Sequence, residues 1–532
     1  MSIELQRMLF GKGPTRDDLL KYEPVMPKTR LIQIFRNHSF ELIEHTIYPY
    51  LDFAGIGASF EYSGYDDSFS FLQLDASADL YIIWADGTRY KDVDPSSLVS
   101  DRVCALREKT DKSILVVAYG ADVSSTDPGV AVVDLAPLKE RYGDRFEDRR
   151  AQAITGTPLS RQSLMELSKI LGTQYIPALL APRLKAVIID FDNTIYQGVL
   201  GEDGAQGLQL TPGHIALQER LVELSRSGLF LCAVSKNDQR DVDELLDSRK
   251  DFPLKKENFT KVIASWKPKY QSVQEIAAYL NIGVSSMVFV DDNIGELTEL
   301  EMHLPDIKLV YAEADASITA NVLRYFPGLL RLKASNQEDQ IRKDDVQANE
   351  MRKALRDTMS QEDYIRSLKL RLQFDYKKED QIARIAELSN KTNQFIFNYA
   401  RYTPAQVSKL FHDHSYMVLT VSLADRLSDS GLVGVCVGKD MSDHVSIEEC
   451  FVSCRALGRG IDDIIVLGAI QKILNYFHKT KVRLQFQKGP RNKPAEDFVF
   501  RCLRPYLACA ADFFYEIPKD LLEINESMEG CV

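Results

Sequence analysis

No apolar run in this chain of 532 residues approaches the roughly 20 residues that a bilayer-spanning helix needs, so no membrane span is expected. Cysteine is sparse: eight residues with no C-x-x-C pair, which argues against a disulfide or zinc framework and for reduced thiols. The eight histidines form no H-E-x-x-H, and His412 with His414 alternates as strand or loop residues do, so the pair reads as surface rather than metal ligand. A nucleotide-binding loop is missing, as are internal repeats. The opening MSIELQRMLFGKGPTRDD has neither a basic segment leading into an apolar stretch nor a cleavage site, so a cytoplasmic location is expected. Basic charge is short overall. A net charge of −12 argues against nucleic acid as the main partner, which would ordinarily call for a basic face. One region runs the other way: Lys479, Lys481, Arg483, Lys488, Arg491 and Lys493 cluster, as a solvated face or as a surface for an anionic partner.

Apolar residues make up 45% of the chain, enough for several cores in a multidomain α/β protein. Four segments carry the chemistry: KAVIIDFDNT at 185–194, LFLCAVSKN at 229–237, ASWKPK at 264–269 and SMVFVDDN at 286–293. Three are apolar runs of strand length that stop abruptly in polar residues, the pattern of buried parallel strands delivering side chains to the carboxyl edge of a sheet. Asp190 and Asp192 are two apart and point the same way along an extended chain. Two close carboxylates persist most easily around a hard cation such as Mg²⁺, and Asp291 and Asp292 would complete the cage. Ser235 offers a hydroxyl to a phosphoryl oxygen, and Lys269, with Lys267 as its rival, offers an ammonium to the same group. Nucleophilic carboxylate, metal, hydroxyl and lysine together describe phosphoryl transfer through an aspartyl-phosphate.

Residues 1–183 read as an α/β unit, with strands expected at 78–86, 113–120 and 130–138 and a helix at 160–172. A phosphatase-like unit is expected over 184–330, with room between Ser235 and Trp266 for a helix and little else, hence no large lid. An uncovered site suits a bulky or protein-borne substrate, or one covered by another domain of the chain. Residues 331–369 are dense in charge and read as a helical linker. The last unit, 370–532, holds strand candidates at 417–423, 432–437, 445–452, 482–487 and 511–517, with helices at 380–390 and 460–478. In it, SCRALGRGI at 453–461 follows a strand and precedes an apolar helix. R-x-x-G-x-G lets glycines bring backbone N–H groups close to a pyrophosphate at a helix N-terminus. A plain glycine turn is the alternative.

The order D-x-D-x-T, Ser, Lys, Asp-Asp resembles the haloacid dehalogenase (HAD) superfamily. The resemblance implies Asp190 as nucleophile, Asp192 as general acid/base, and Asp291 as metal ligand beside Asp190 and the Asp192 backbone, with Asp292 in the same Mg²⁺ cage. SCRALGRG resembles the acyl-CoA loop of GNAT-type acyltransferases, carried by Arg455, Gly458, Arg459 and Gly460. Together with VIIDFDNTIYQGVLGEDG, CAVSKND, LSNKTNQFIFNYARYT and ADRLSDSGLVG, these segments resemble the FkbH-like family over nearly the whole chain. That resemblance implies a degenerate SGNH-hydrolase-like unit, a HAD Rossmann-like parallel sheet without a large cap, and a GNAT-like α+β unit. It further implies loading of a glyceryl group from 1,3-bisphosphoglycerate onto the phosphopantetheine thiol of an acyl carrier protein, as in polyketide biosynthesis. Related family members accompany other assembly lines and surface-glycan loci.

Three strings depart from the family pattern. Asn193-Thr194-Ile195-Tyr196-Gln197-Gly198 stands where D-N-T-L-W-G-G would continue, Asp291-Asp292-Asn293-Ile294-Gly295-Glu296-Leu297 where D-D-N-P-x-E-R would, and Asp425-Arg426-Leu427-Ser428-Asp429-Ser430-Gly431 where D-R-F-G-D-N-G would. Ser39 lies where an SGNH nucleophile would, without an identifiable histidine partner, so scaffold or docking surface is the expectation there. Cys454, beside arginines and a helix N-terminus, is a candidate acyl acceptor or a small residue closing a strand; Cys232 and Cys436 read as core. The expectation is a Mg²⁺-dependent phosphatase coupled to acyl transfer. Its rivals are a phosphatase acting on a phosphorylated sugar or carrier-bound intermediate, and a non-catalytic carrier-binding scaffold.

Overall fold

The computed structural model describes residues 3–65, 68–127, 129–332, 336–457, 459, 461–489, 492–504, 507–509 and 514–518. The chain divides into two compact units, Met1–Asn336 and Gln337–Val532. The fold class is multidomain α/β, as the apolar patterning predicts.

The first unit contains two five-stranded parallel sheets. One is built from β1 (Arg30–Arg36), β2 (Ala58–Tyr65), β3 (Leu80–Asp86), β4 (Ser113–Tyr119) and β5 (Val130–Val132), in the order β2-β1-β3-β4-β5. The expected strand at 130–138 is cut short. Asp134 accepts the Ala136 N–H at 2.9 Å, and Pro137, whose fixed φ suits a first helical turn, opens a helix at Ala136–Tyr142. The other sheet holds β6 (Ala186–Ile189), β7 (Phe230–Ser235), β8 (Lys261–Ala264), β9 (Met287–Asp291) and β10 (Lys308–Tyr311), ordered β10-β9-β6-β7-β8. Its chain order reverses between β6 and β9, where a parallel α/β sheet opens a crevice at its carboxyl edge.

These sheets have separate cores, yet the residues before 184 are packed into the second one. Leu9, Phe10, Tyr50 and Phe53 belong to the same apolar cluster as Val187, Ile189 and Val290. Gln6 covers the edge of β10, donating from Nε2 to the Tyr311 carbonyl at 2.8 Å and accepting the Tyr311 N–H at 3.2 Å. The expected boundary at 183/184 thus divides two sheets within one compact unit.

The second unit is a seven-stranded mixed sheet of β11 (Arg371–Tyr376), β12 (Tyr416–Ala424), β13 (Asp429–Asp440), β14 (Val445–Val452), β15 (Lys481–Gln485), β16 (Leu507–Cys509) and β17 (Phe514–Pro518), ordered β11-β12-β13-β14-β15-β17-β16. The helix Asp462–Tyr476 lies on it. A Cβ at Gly434 would stand 2.7 Å from Ile465, so glycine is what lets this helix approach β13. The pair β14/β15 is parallel and bonded only over Val445–Ile447 against Val482–Leu484. Where the two strands part, the chain's own Phe395–Phe397 enters. Phe397 N–H donates to Cys450 O (3.1 Å), Val452 N–H to Phe395 O (3.0 Å), and Gln487 N–H to Phe397 O (2.8 Å). The buried Glu449 carboxylate holds this insert by accepting the N–H groups of Phe397, Asn398 and Ala400.

The charged stretch 331–369, expected as a helical linker, is helical at Asn336–Thr358 and Gln361–Leu368. Asp345 and Arg352 are buried in the second unit, where Arg352 pairs with Asp345 (2.9 Å) and Asp425 (2.8 Å) and Arg459 pairs with Asp345 (3.0 Å) and Asp425 (3.2 Å). Its charge density reads as surface because the partners that take it inside lie far along the chain, at 425 and 459. No helix among the described residues is long and apolar enough to cross a membrane.

Candidate active site

At the carboxyl edge of the β10-β9-β6-β7-β8 sheet, Asp190 follows β6, Ser235 ends β7, and Asp291 ends β9 with Asp292 next. Lys269 is the first residue of the helix Lys269–Leu280 and is buried, 4% exposed, whereas Lys267 is exposed. The Lys269 Nζ stands 2.6 Å from Asp291 Oδ2 and 3.0 Å from Asp190 Oδ1. The two candidate lysines are thereby separated by geometry. Under the phosphoryl-transfer expectation, Lys269→Ala slows phosphate release about 10²-fold or more, the scale of losing a preorganised charge at a transferring group. Lys267→Ala should cost no more than a surface charge does. A larger loss for Lys267→Ala would reassign the role.

Carboxylate oxygens of Asp190, Asp291 and Asp292 come within 4.8 Å of one another. Three carboxylates face one ammonium there. Burial pushes the Asp190 carboxyl up, Lys269 pulls it back, and Asp291 adds to the rise. Asp291 is likewise raised by burial against the pull of Lys269, and Asp292 by burial and then by the charge of Asp291. Asp190 Oδ1 is buried and accepts no well-angled hydrogen bond, although Lys269 Nζ is near it. A buried site short of positive charge, lined by hard oxygen ligands, fits a divalent cation of the Mg²⁺ type. The three aspartates would hold the ion, which would neutralise charge on a phosphoryl group.

The Asp192 side chain stands outside this triangle. Its Oδ1 accepts the Tyr196 hydroxyl at 2.7 Å and the Leu200 N–H at 3.0 Å, and its Oδ2 accepts Asn237 Nδ2 at 2.8 Å. Asn237 Nδ2 also lies 2.9 Å from Ser235 Oγ. The turn that brings Tyr196 round is closed by Asn193, which bonds Gly198 through both its backbone and its side chain, and Gly198 has a φ of +118°. Sequence reasoning assigned no role to Tyr196 or Asn237. The signal for Asn237 was its spacing, two residues beyond Ser235 on the same side of an extended chain. No cap domain is inserted between β7 and β8, which are joined through the helix Gln239–Ser248 and a short turn, and Trp266, three residues before Lys269, is 70% exposed.

The other expected sites fare differently. Gly458 and Gly460 lie outside the described residues, as does Arg491 of the basic cluster. Arg459 is a correction. Its guanidinium is turned inward to Asp345, Asp425 and Ser430, so it is not available to a pyrophosphate. The following helix carries Asp462 and Asp463 in its first turn, which already answers the helix dipole and repels a phosphate. Arg455 is half-buried, with Nη2 3.5 Å from the Leu432 carbonyl. Cys454 is half-buried in the turn after β14, in the unit that does not contain Asp190. Cys232 and Cys436 are buried core, and burial pushes the Cys232 thiol up to about 12. Lys488 and Lys493 pair with Glu496, and Lys493 also with Asp497, so the basic cluster is partly neutralised locally. Ser39 donates to Glu41 at 2.6 Å, while the neighbouring His38 spends Nδ1 on Thr157; burial, then Arg89 and Arg36, push its imidazole down to about 3. A neutral imidazole turned to Thr157 leaves Ser39 without the base a nucleophile needs.

No protein-family model and no curated protein matches the chain. Among solved structures, the N-terminal part of protein BF1531 from Bacteroides fragilis, which contains a phosphatase domain complexed with Mg, is similar at 20% identity, over 62% of this chain and 99% of that one, with a TM-score of 0.45. A point mutant of spermidine N-acetyltransferase SpeG from Vibrio cholerae is similar at 14% identity, over 30% of this chain and 98% of that one, with a TM-score of 0.22. The PaiA N-acetyltransferase from Thermoplasma acidophilum in complex with coenzyme A is similar at 12% identity, over 28% and 98%, with a TM-score of 0.22.

Proposed function

We propose that the chain is a Mg²⁺-dependent phosphatase of the HAD type that works through an aspartyl-phosphate at Asp190. One observation carries the proposal: a buried lysine held between two aspartates, with a third carboxylate in reach, at the reversal point of a parallel sheet. An Asp190 oxygen attacks phosphorus and the bond to the leaving oxygen breaks. Asp192 gives that oxygen a proton. Water then attacks the aspartyl-phosphate, loses a proton to Asp192, and leaves inorganic phosphate and free Asp190. Lys269 and Ser235 hold the phosphoryl oxygens. Phosphate release measured with and without EDTA tests the metal dependence; release unaffected by the chelator would contradict it.

The fuller reading takes 1,3-bisphosphoglycerate as substrate and a carrier-protein thiol as acceptor. Attack by Asp190 is then on the alkyl phosphate ester, because attack on the acyl phosphate would release a carboxylate and discard the activation. The Cys454 thiol forms its bond to the acyl carbon, phosphate leaves, and the thiol proton passes to solvent. The carrier's phosphopantetheine thiol then takes the glyceryl group and restores Cys454. Incubation with substrate and Mg²⁺ but no carrier is expected to place one glyceryl mass on the peptide holding Cys454. Cys454→Ala should lose this adduct and still release phosphate from the ester. A Cys454→Ala protein that loads the carrier at the wild-type rate would show direct transfer, with the thiol only structural. A phosphatase acting on a phosphorylated sugar or carrier-bound intermediate shares the first site and predicts no adduct. A carrier-binding scaffold predicts no phosphate release.

A further inference from the structure

We infer that Tyr196 and Asn237 are positioning residues: with the Leu200 N–H, Tyr196 fixes Oδ1 of the Asp192 carboxylate, and Asn237 holds Oδ2 and ties it to Ser235. The inference rests on the reading of Asp192 as acid and base. A carboxylate oxygen has two in-plane lone pairs. On Oδ1 both are taken, by the Tyr196 hydroxyl at 2.7 Å and the Leu200 N–H at 3.0 Å. On Oδ2 the Asn237 amide takes one, at 2.8 Å. Turning the carboxylate would leave the Leu200 N–H and the hydroxyl of the fully buried Tyr196 without their acceptor, so the orientation is fixed.

The three donors come from rigid places. Tyr196 is 0% exposed, with its ring 6.0 Å from that of Phe252, and Asn237 is 3% exposed. Leu200 opens the helix Leu200–Gly207, and its N–H is one that a helix leaves unpaired. Asn237 reaches Ser235 with the same amide nitrogen, so the Ser235 hydroxyl and the Asp192 carboxylate share one anchor. Tyr196 and Asn237 touch no substrate atom in this scheme and act through Asp192 and Ser235. They are positioning residues.

A misaimed acid matters most when the leaving oxygen is a poor leaving group. The test compares kcat/KM, which reports only the steps up to loss of that group, for 3-phosphoglycerate and for p-nitrophenyl phosphate in Mg²⁺. Tyr196→Phe keeps the ring and removes the donor. It is expected to lower the alkyl-to-aryl ratio about tenfold, a fraction of the 10²–10⁴ that general acid catalysis supplies. Asn237→Ala, acting from a different strand, should lower the same ratio. Thermal unfolding of both variants separates this from loss of fold, which would depress both substrates together. An unchanged ratio in both variants, with Asp190→Asn inactive, overturns the positioning role and leaves the phosphatase reading standing. Wild-type activity in Asp190→Asn overturns the phosphatase reading and the positioning role with it.

Discussion

Asp190→Asn is expected to abolish phosphate release, by about 10⁴-fold or more, the scale seen when a covalent nucleophile is removed. Asparagine keeps the size of the side chain and the backbone N–H that bonds the Val290 carbonyl at 2.9 Å. It cannot form the acyl phosphate. It also removes one of the three carboxylates grouped for a cation, so affinity for Mg²⁺ should fall with the activity. The fold should persist, because Lys269 retains Asp291 at 2.6 Å and the aspartate lost was itself costly to bury. Circular dichroism and thermal unfolding check the fold, and a phosphate assay checks the activity. A folded variant that releases phosphate at the wild-type rate would show that another group attacks phosphorus.

The largest effect on stability is expected from Arg352→Ala, about 3–5 kcal/mol, the cost of removing one partner from a buried charge network. Arg352 is 4% exposed and holds Asp345, Asp425 and Ser428. Its loss leaves two buried carboxylates facing Arg459 alone. Arg459→Ala should behave alike, as a stability variant rather than a ligand-affinity variant. Both tryptophans, Trp84 and Trp266, lie in the first unit, so hydrogen exchange in β12–β14 is the direct readout of this loss: protection there should fall. The network also sets a pH response. Burial raises the Asp425 carboxyl, but Arg352 and the N–H groups of Leu427 and Ser428 outweigh it and hold the group below its ordinary value. A depressed folded value adds stability that is present above the unfolded pKa, about 3.9, and is lost as pH falls through the lower folded one. Acid should therefore loosen β12–β14 in the wild type and do so less in Arg352→Ala. Equal protection in variant and wild type would mean that the ion pairs contribute nothing net.

Much of the candidate site was legible because its residues sit at the ends of short apolar runs. VIID, LFLCAVS and VFVD have the composition of strands buried on both faces, and the polar residue that stops each run is the one delivered to the crevice. Lys269 was the preferred lysine and Lys267 its rival; Lys269 starts a helix, is buried, and stands 3.0 Å from Asp190 and 2.6 Å from Asp291. Strands β12–β14 were legible for the same apolar reason. β11, RLQFDY, and the edge strand β2, ASFEYSGY, carry mixed polarity and were not anticipated. The glycine-rich string after β14 suggested a phosphate cradle, but a sequence does not say which way an arginine turns. Arg459 turns inward because Asp345 and Asp425 are there to meet it, and no local pattern joins positions 345, 425 and 459.

The most direct measurement is to quench the enzyme with acid during turnover of a phosphate monoester in Mg²⁺ and locate the covalent phosphoryl group by peptide mass spectrometry. The account predicts one phosphoryl group on the peptide carrying Asp190, discharged by hydroxylamine as an acyl phosphate is and missing when EDTA is added before substrate. Phosphate release with no labelled peptide, or with the label on another residue, would contradict it.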